Sequence, residues 1–174
     1  MPVALQAFAS RQDSRDAAGG ARRALIPGCG SAHEAAFLDR LGWAVTALDF
    51  SASAVESARR NLGNWNGTLV QADFFAHRAD APYALVYERA FLCALPRKLW
   101  PGYGERMARL LAAGGYLAGF YFFGDEPKGP PFPIARQRLE ELLAPYFDLD
   151  ADEAVADSIP AFAGKERWMV WRRR

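Results

Sequence analysis

The stretch from Arg23 to Asp49 constrains the fold more than any other part of the chain. It begins with a short apolar run that ends at Pro27, and it continues through a glycine turn, Gly28 and Gly30, into a helical pattern. A second apolar run follows and ends at the aspartate. This order predicts a strand, a glycine loop, a helix and a second strand, which together form a βαβ unit. Glycine permits positive φ angles and lets a ligand approach the backbone closely.

The carboxylate at the end of this stretch favours nucleoside binding. Asp49 follows the glycine loop by about 20 residues, and a carboxylate there can accept hydrogen bonds from both hydroxyls of a ribose. His33 holds the place of the third glycine of the dinucleotide fingerprint, which disfavours a dinucleotide. We expect His33 to be a loop or helix-start residue rather than a catalytic base. The phosphate-loop sequence G-K-[ST] does not follow, which excludes a Walker-type site.

Length, charge and cysteine content narrow the classes of function. The 174 residues suit a single domain, and a net charge of +1 without a basic stripe argues against nucleic acid as a partner. Cys29 and Cys93 lie far apart, which disfavours a disulfide framework and a zinc site, so we expect two packing residues and no metal. Neither a signal-peptide pattern nor a membrane-spanning apolar run is present, so we expect a cytoplasmic protein with no membrane partner.

Apolar runs and helical patterns alternate along the remainder of the chain. A capping box of Ser53 and Glu56 predicts the start of one helix, and a second helix is predicted from Pro101 to the pair Gly114-Gly115. The three C-terminal arginines are expected to form a solvated tail. The other predicted segments are a helical turn or two at 2–8, a linker at 10–20, strands at 68–71, 83–87, 116–123, 149–155 and 167–171, and a helix near 135–143.

This alternation predicts an α/β fold: a Rossmann-like, doubly wound and mostly parallel seven-stranded sheet with an antiparallel last strand and helices on both faces. Ligands bind such sheets beyond the carboxyl ends of the strands. The candidate site residues that fall at those ends are Gly28, Gly30, Asp49, Asp73, Glu88 and Arg89.

Five segments of the chain, in order, resemble the class I S-adenosylmethionine (SAM) methyltransferases: IPGCGSAHE, ALDFS, QADFF, VYERAFLCALP and GPPF. Within that superfamily the chain resembles the thiopurine and thiol S-methyltransferases from about residue 22 to the end. The resemblance implies an enzyme that transfers a methyl group from SAM to the sulfur of a small thiol. It implies a small-molecule thiol as the partner, and we expect a monomer.

The resemblance also implies roles for individual residues on the cofactor side. Gly28 and Gly30 would run beneath the methionine portion of SAM, and Asp49 would hold the ribose hydroxyls. The remaining implied contacts are Phe50 on the adenine face, Asp73 on the adenine amine beside the backbone of Phe74, and Glu88 near the methionine ammonium.

On the acceptor side, the resemblance places Arg89 at the methyl acceptor, with Pro130 and Phe132 of the GPPF segment as part of the pocket wall. A guanidinium favours the thiolate form of a thiol, whose ordinary pKa is about 8.5. Because Arg89 keeps its proton, it cannot serve as a general base. Structural alternatives remain open, since Arg89 could pair with Glu88 or another carboxylate and Asp73 could simply form a turn.

One difference from the family concerns residues 1–21. Family members usually carry a tryptophan-containing segment before the glycine loop, and here the corresponding part is short. A second hypothesis is therefore a SAM-binding remnant with little or no turnover. A third hypothesis, an NAD-dependent oxidoreductase, is disfavoured by the missing third glycine.

Overall fold

The computed structural model describes residues 1–12 and 20–174, so most of the linker predicted at 10–20 lies outside the described residues. The chain divides into two compact units, Met1–Tyr87 and Glu88–Arg174. Within the described residues, helices that combine the length and apolar character needed to cross a membrane are absent.

The first unit alternates helices with parallel strands. Strand β1 pairs in parallel with β2 and with β4, and β2 pairs in parallel with β3, which confirms the predicted βαβ unit. The last two residues of β4 belong to the second unit. The elements are α1 (Val3–Arg11), β1 (Arg23–Pro27), α2 (His33–Arg40), β2 (Ala44–Asp49), α3 (Ala52–Leu62), β3 (Thr68–Gln71) and β4 (Tyr83–Arg89).

The second unit contains the antiparallel part of the fold. Its last strand, β7, pairs antiparallel with both β5 and β6, as predicted. Two 3₁₀ turns, Leu92–Ala94 and Arg97–Gly102, precede the first helix of the unit. The remaining elements are α4 (Tyr103–Leu110), β5 (Leu111–Phe122), α5 (Arg136–Leu143), β6 (Phe147–Ala154) and β7 (Glu166–Arg173).

The strand order is β3-β2-β1-β4-β5-β7-β6 in a seven-stranded sheet. This order, with helices around a mostly parallel sheet, confirms the predicted Rossmann-like fold class. The order reverses between β1 and β4, and in such sheets ligands bind where the order reverses. Strand β4 is buried along most of its length, because its continuous apolar run suits a strand covered on both faces.

The prediction of the capping residue for α3 was wrong. Ser51 precedes the helix and its hydroxyl accepts from the N–H of Ala54 at 3.4 Å, whereas Ser53 hydrogen-bonds to the Ser51 hydroxyl. Glu56 pairs instead with arginines one turn further along the helix. Asp49 determines this outcome, because its carboxylate accepts from the N–H of Ser51 and holds that residue extended.

Two further local predictions were wrong in the second unit. Helix α4 ends at Leu110, because Leu111 is already extended (ψ 148°) and begins β5, so the glycine pair 114–115 lies within a strand. The C-terminal arginines do not form a free tail. Strand β7 includes Arg172, which pairs with Asp150 at 3.2 Å, and Arg174 pairs with an aspartate of β6 at 2.8 Å.

Candidate active site

The glycine loop between β1 and α2 leaves its backbone accessible. Gly28 and Gly30 have φ angles of +61° and +51°, a region that residues with a Cβ rarely adopt. Apart from Gly30 itself and its two chain neighbours, no described heavy atom lies within 4 Å of the point where a Cβ of Gly30 would stand. The N–H of Cys29 donates to the carbonyl of Leu48 at 3.0 Å and holds the loop against β2. A ligand can therefore approach the loop closely.

Asp49 is fixed beside this loop at the end of β2. Its Oδ2 accepts from the N–H of Gly30 at 3.1 Å and its Oδ1 accepts from the N–H of Ser51 at 3.0 Å. Each carboxylate oxygen has two lone pairs, so both retain the capacity to accept a further hydrogen bond. The structure thus brings the predicted loop and the predicted carboxylate together.

The next residue, Phe50, is 79% exposed although it is large and apolar. An exposed aromatic ring next to a fixed carboxylate is suited to contact the flat face of a nucleobase. The open loop, the oriented carboxylate and this exposed ring therefore fit the nucleoside end of SAM.

Asp73 lies after β3 and forms a turn. Its Oδ1 accepts from the N–H of Phe75 at 2.9 Å, and its carbonyl accepts from the N–H of His77 at 2.9 Å. The N–H of Ala72 donates to the carbonyl of Asp49 at 3.0 Å, which joins this turn to the end of β2. Asp73 therefore forms a turn, and its contact with adenine stays a prediction. Phe74 follows in the same turn and is buried.

Glu88, at the end of β4, is enclosed by the second unit. Its side chain is buried, its Oε2 accepts from the N–H of Phe91 at 3.0 Å, and its Oε1 accepts from the hydroxyl of Tyr103 at 3.2 Å. Burial raises the pKa of Glu88 to about 7, and these hydrogen bonds act in the opposite direction. The contact with the methionine ammonium stays a prediction.

Arg89 follows on the same strand end and is half-buried. Its guanidinium carbon lies 5.2 Å from the centre of the Phe120 ring, a cation–π contact. The nearest carboxylate in sequence, Glu88, directs its oxygens to Phe91 and Tyr103.

The GPPF segment is held at its phenylalanine. The N–H of Phe132 donates to the carbonyl of Cys93 at 2.7 Å, and a Cβ at Gly129 would overlap the Phe132 ring. Pro130 is exposed, whereas Phe132 is half-buried. The structure therefore brings Phe132 against the first 3₁₀ turn and leaves Pro130 at the surface.

Sequence reasoning missed Arg97, which supports this segment. Its guanidinium donates to the carbonyls of Glu126 at 2.7 Å and Pro127 at 2.9 Å, and it lies 5.2 Å from the centre of the Phe132 ring. The bond partners lie about 30 residues further along the chain, so local patterns gave no signal for them.

The described residues of the second unit form a cleft and a larger cavity. A narrow apolar cleft, closed to water in this structure, includes Phe120 and Phe132 and is completed by Leu92, Cys93, Tyr121, Phe122 and Ile134. A larger cavity of about 550 Å³ lies beyond the ends of β5 and β6, and neither Arg89 nor Phe132 lines it. Of the predicted acceptor residues, Phe132 lines the small cleft, Arg89 contacts Phe120 of that cleft, and Pro130 lines neither cavity.

Both cysteines are buried packing residues, as predicted. Burial raises the pKa of the Cys29 thiol and of the Cys93 thiol to about 12, and the charges of Asp49 and Glu88 respectively act in the same direction. Neither thiol is therefore suited to act as a nucleophile.

Comparison with known families identifies the class of protein. The family model for thiopurine S-methyltransferase (TPMT) matches residues 3–174. The chain belongs to the TPMT family. As a member of the TPMT family, it is a SAM-dependent S-methyltransferase, which confirms the predicted cofactor and class of reaction.

Individual relatives agree with the TPMT assignment. Thiocyanate methyltransferase 1 of Brassica oleracea is 31% identical over 157 residues, which cover 87% of this chain and 70% of the relative. Thiopurine S-methyltransferase of Shewanella frigidimarina is 35% identical over 105 residues, which cover 56% of this chain and 48% of the relative.

A solved structure shares the fold of this TPMT-family chain. The N-methyltransferase NodS of Bradyrhizobium japonicum, solved in complex with S-adenosylhomocysteine, superposes with a TM-score of 0.73. The match covers 90% of this chain and 80% of NodS at 14% identity. At that identity the likeness supports the fold alone.

Proposed function

We propose that this chain transfers the methyl group of SAM to the sulfur of a small thiol or thiocyanate-like anion. The observation that carries the proposal is the half-buried Arg89 at the end of β4, whose guanidinium lies over the Phe120 ring. A sulfur acceptor also agrees with the names of the relatives, one a thiocyanate methyltransferase and another a thiopurine S-methyltransferase.

On the cofactor side, Asp49 would accept from the ribose hydroxyls with the lone pairs that Gly30 and Ser51 leave available. Phe50 would pack on the adenine, and Asp73 would accept from its amine beside the backbone of Phe74. The positive φ of Gly28 and Gly30 would let the loop run beneath the methionine portion. When bound, SAM supplies a methyl group on a positively charged sulfonium, which is already a good electrophile.

On the acceptor side, Arg89 would favour and orient the thiolate. A thiol with a pKa of about 8.5 is mostly protonated at neutral pH, and a neighbouring guanidinium lowers that pKa. Arg89 cannot accept the proton, which would leave to water. Pro130 and Phe132 would wall the acceptor, and correct alignment of the reacting atoms can supply ~7–11 kcal/mol of the barrier.

A turnover assay tests the proposal. The protein is incubated with SAM and, in separate reactions, thiocyanate, hydrosulfide, thiophenol or a thiopurine, and S-adenosylhomocysteine is measured. We expect turnover with at least one acceptor. Arg89→Met should lower kcat/KM at least tenfold without changing SAM affinity, and Arg89→Lys should restore part of the loss because it keeps the charge without the planar fork.

Calorimetry with SAM separates the ways in which the proposal could fail. SAM binding without methylation of any sulfur acceptor would favour the remnant hypothesis. Equal activity of Arg89→Met and the unaltered chain would remove Arg89 from the acceptor site. We also expect a cytoplasmic monomer, which cell fractionation and size-exclusion chromatography would test.

A further inference from the structure

The carboxylate of Glu88 is enclosed by elements of the second unit. The residue is 1% exposed, and a carboxylate is stable in such surroundings only when hydrogen bonds satisfy it. The 3₁₀ turn supplies the N–H of Phe91, and α4 supplies the hydroxyl of Tyr103. That hydroxyl lies 3.4 Å from the hydroxyl of Tyr121 on β5. The carboxylate therefore joins the end of β4 to α4, to β5 and to the following turn.

The chain reverses sharply between Glu88 and Phe91. Ala90 has a φ of +58°, in the left-handed region that residues other than glycine seldom adopt. The hydrogen bond from the Phe91 N–H to Glu88 spans this residue and closes the turn. On the opposite side, a Cβ at Gly119 would overlap the Glu88 backbone and side chain, so β5 approaches the strand end closely.

The residues on either side of this turn belong to the proposed acceptor site. Arg89 lies immediately before Ala90, with its guanidinium over the Phe120 ring. The 3₁₀ turn Leu92–Ala94 follows and lines the apolar cleft. The carbonyl of Cys93 in that turn accepts from the N–H of Phe132. A displacement of the turn would therefore move the guanidinium and the wall of the cleft together.

We propose that Glu88 is a positioning residue whose carboxylate fixes the turn after β4. It thereby holds Arg89 and the Cys93–Phe132 hydrogen bond in the positions that the acceptor requires. This assignment rests on the proposed function for the acceptor roles of Arg89 and Phe132. It differs from the direct ammonium contact that the family resemblance implies, because Glu88 is only 1% exposed and its oxygens accept from groups within the second unit.

A pair of substitutions separates the hydrogen-bonding role of Glu88 from its charge. Glu88→Met keeps a similar volume and removes both acceptor oxygens. Glu88→Gln removes the charge and keeps an oxygen for the Phe91 N–H and an amide group for the Tyr103 hydroxyl. Three quantities are measured on the full chain: amide hydrogen exchange at residues 90–94, the SAM dissociation constant by calorimetry, and kcat and KM for thiocyanate.

We expect Glu88→Met to speed exchange at 90–94 at least tenfold and to raise the thiocyanate KM at least tenfold, with the SAM dissociation constant within twofold of the unaltered chain. Glu88→Gln should remain within threefold on all three measurements. Tyr103→Phe, which removes one donor to the carboxylate, should speed exchange at Phe91 about two- to fivefold. If Glu88→Met does not fold, Tyr103→Phe and Glu88→Gln still decide the question.

If amide exchange at 90–94 is unchanged in Glu88→Met, the proposal is overturned. If Glu88→Met does not fold, unchanged exchange in Tyr103→Phe overturns it. So does a Glu88→Gln variant with unchanged exchange and SAM binding weakened tenfold, because that result assigns Glu88 to the cofactor. An unaltered chain that methylates no sulfur acceptor overturns the proposed function instead. The exchange data then decide the positioning role on their own.

Discussion

Asp49 receives the N–H groups of Gly30 and Ser51 on different oxygens, so the structure orients its carboxylate before any ligand arrives. Orientation in advance reduces the entropy lost on binding. The same carboxylate connects the glycine loop to the start of α3, since Ser51 is also the capping residue of that helix. One side chain therefore contributes both to the proposed ribose contact and to the local fold.

Replacing Asp49 by alanine should weaken SAM binding by about 1.5–3 kcal/mol, the usual range for losing hydrogen bonds to a charged group. Calorimetry would measure this change, with circular dichroism to verify the fold. Glu56→Ala is a matched control, because it removes an exposed carboxylate of α3 and should leave SAM affinity unchanged. Equal affinities of the two variants would exclude Asp49 from the ribose site.

Glu88 makes stability depend on pH. Burial raises its pKa from 4.5 to about 7, so the native state binds this proton more tightly than the unfolded chain does. The associated stability is fully present below about pH 4.5 and is lost as pH rises through about 7. This difference in pKa between the native and the unfolded chain corresponds to about 3 kcal/mol in the free energy of unfolding. Between pH 5 and pH 8, the Tm of the unaltered chain should therefore fall relative to the Tm of Glu88→Gln. The same pH dependence of Tm in both proteins would contradict this expectation.

Among the elements, the segment that leads from β5 to α5 depends on Arg97. Its guanidinium holds two backbone carbonyls of the segment and lies against the Phe132 ring. The contact fixes a stretch rich in glycine and proline that contains no helix or strand of its own between residues 124 and 133. An arginine can hold two carbonyls at once because its donors form a rigid fork.

Arg97→Gln should therefore loosen this segment and raise the KM for the sulfur acceptor about threefold to tenfold, with SAM affinity unchanged. The expected loss corresponds to about 0.7–1.4 kcal/mol of binding free energy. Steady-state kinetics would measure it, and limited proteolysis of residues 124–133 would report the loosening directly. Lys98→Ala, a change at the exposed neighbouring cation, is the control and should alter neither quantity.

The elements also differ in how well sequence predicts them. Strand β3 and the βαβ unit were predicted closely, because glycines and apolar runs mark their ends locally. The cap of α3 and the end of α4 were missed. The carboxylate of Asp49 determines the cap, and β7 supports the start of β5 through a hydrogen bond from Arg173 to the carbonyl of Leu111. Contacts of this kind join residues that local patterns treat separately.

For the whole molecule, the fold class follows from the alternation of strands and helices, and the family follows from five short motifs. The roles of buried polar groups were harder to predict from the sequence. The position of Glu88 at a strand end was predictable, but the contacts of its carboxylate with α4 and the 3₁₀ turn depend on packing within the second unit. For the same reason, the sequence did not predict the hydrogen bond from the N–H of Phe132 to the carbonyl of Cys93.

Cofactor binding should raise the stability of the whole chain. A ligand that binds only the native state at about 100 times its dissociation constant adds about 2.7 kcal/mol. For a chain of this size, this corresponds to a rise in Tm of roughly 5–10 °C. We expect SAM to produce the rise, NAD to produce none, and Asp49→Ala to need a much higher SAM concentration. An equal rise with NAD would contradict the assigned cofactor.

The burial of Cys29 and Cys93 has a consequence for an enzyme that handles thiols. Thiol–disulfide exchange requires a thiolate, and with a pKa of about 12 each cysteine is ionised to only about one part in 10⁵ at pH 7. Oxidised acceptor molecules, which accumulate as disulfides in any thiol solution, should therefore form mixed disulfides with this protein very slowly. Modification of the chain by reactive sulfur compounds should therefore be slow even where these compounds are concentrated.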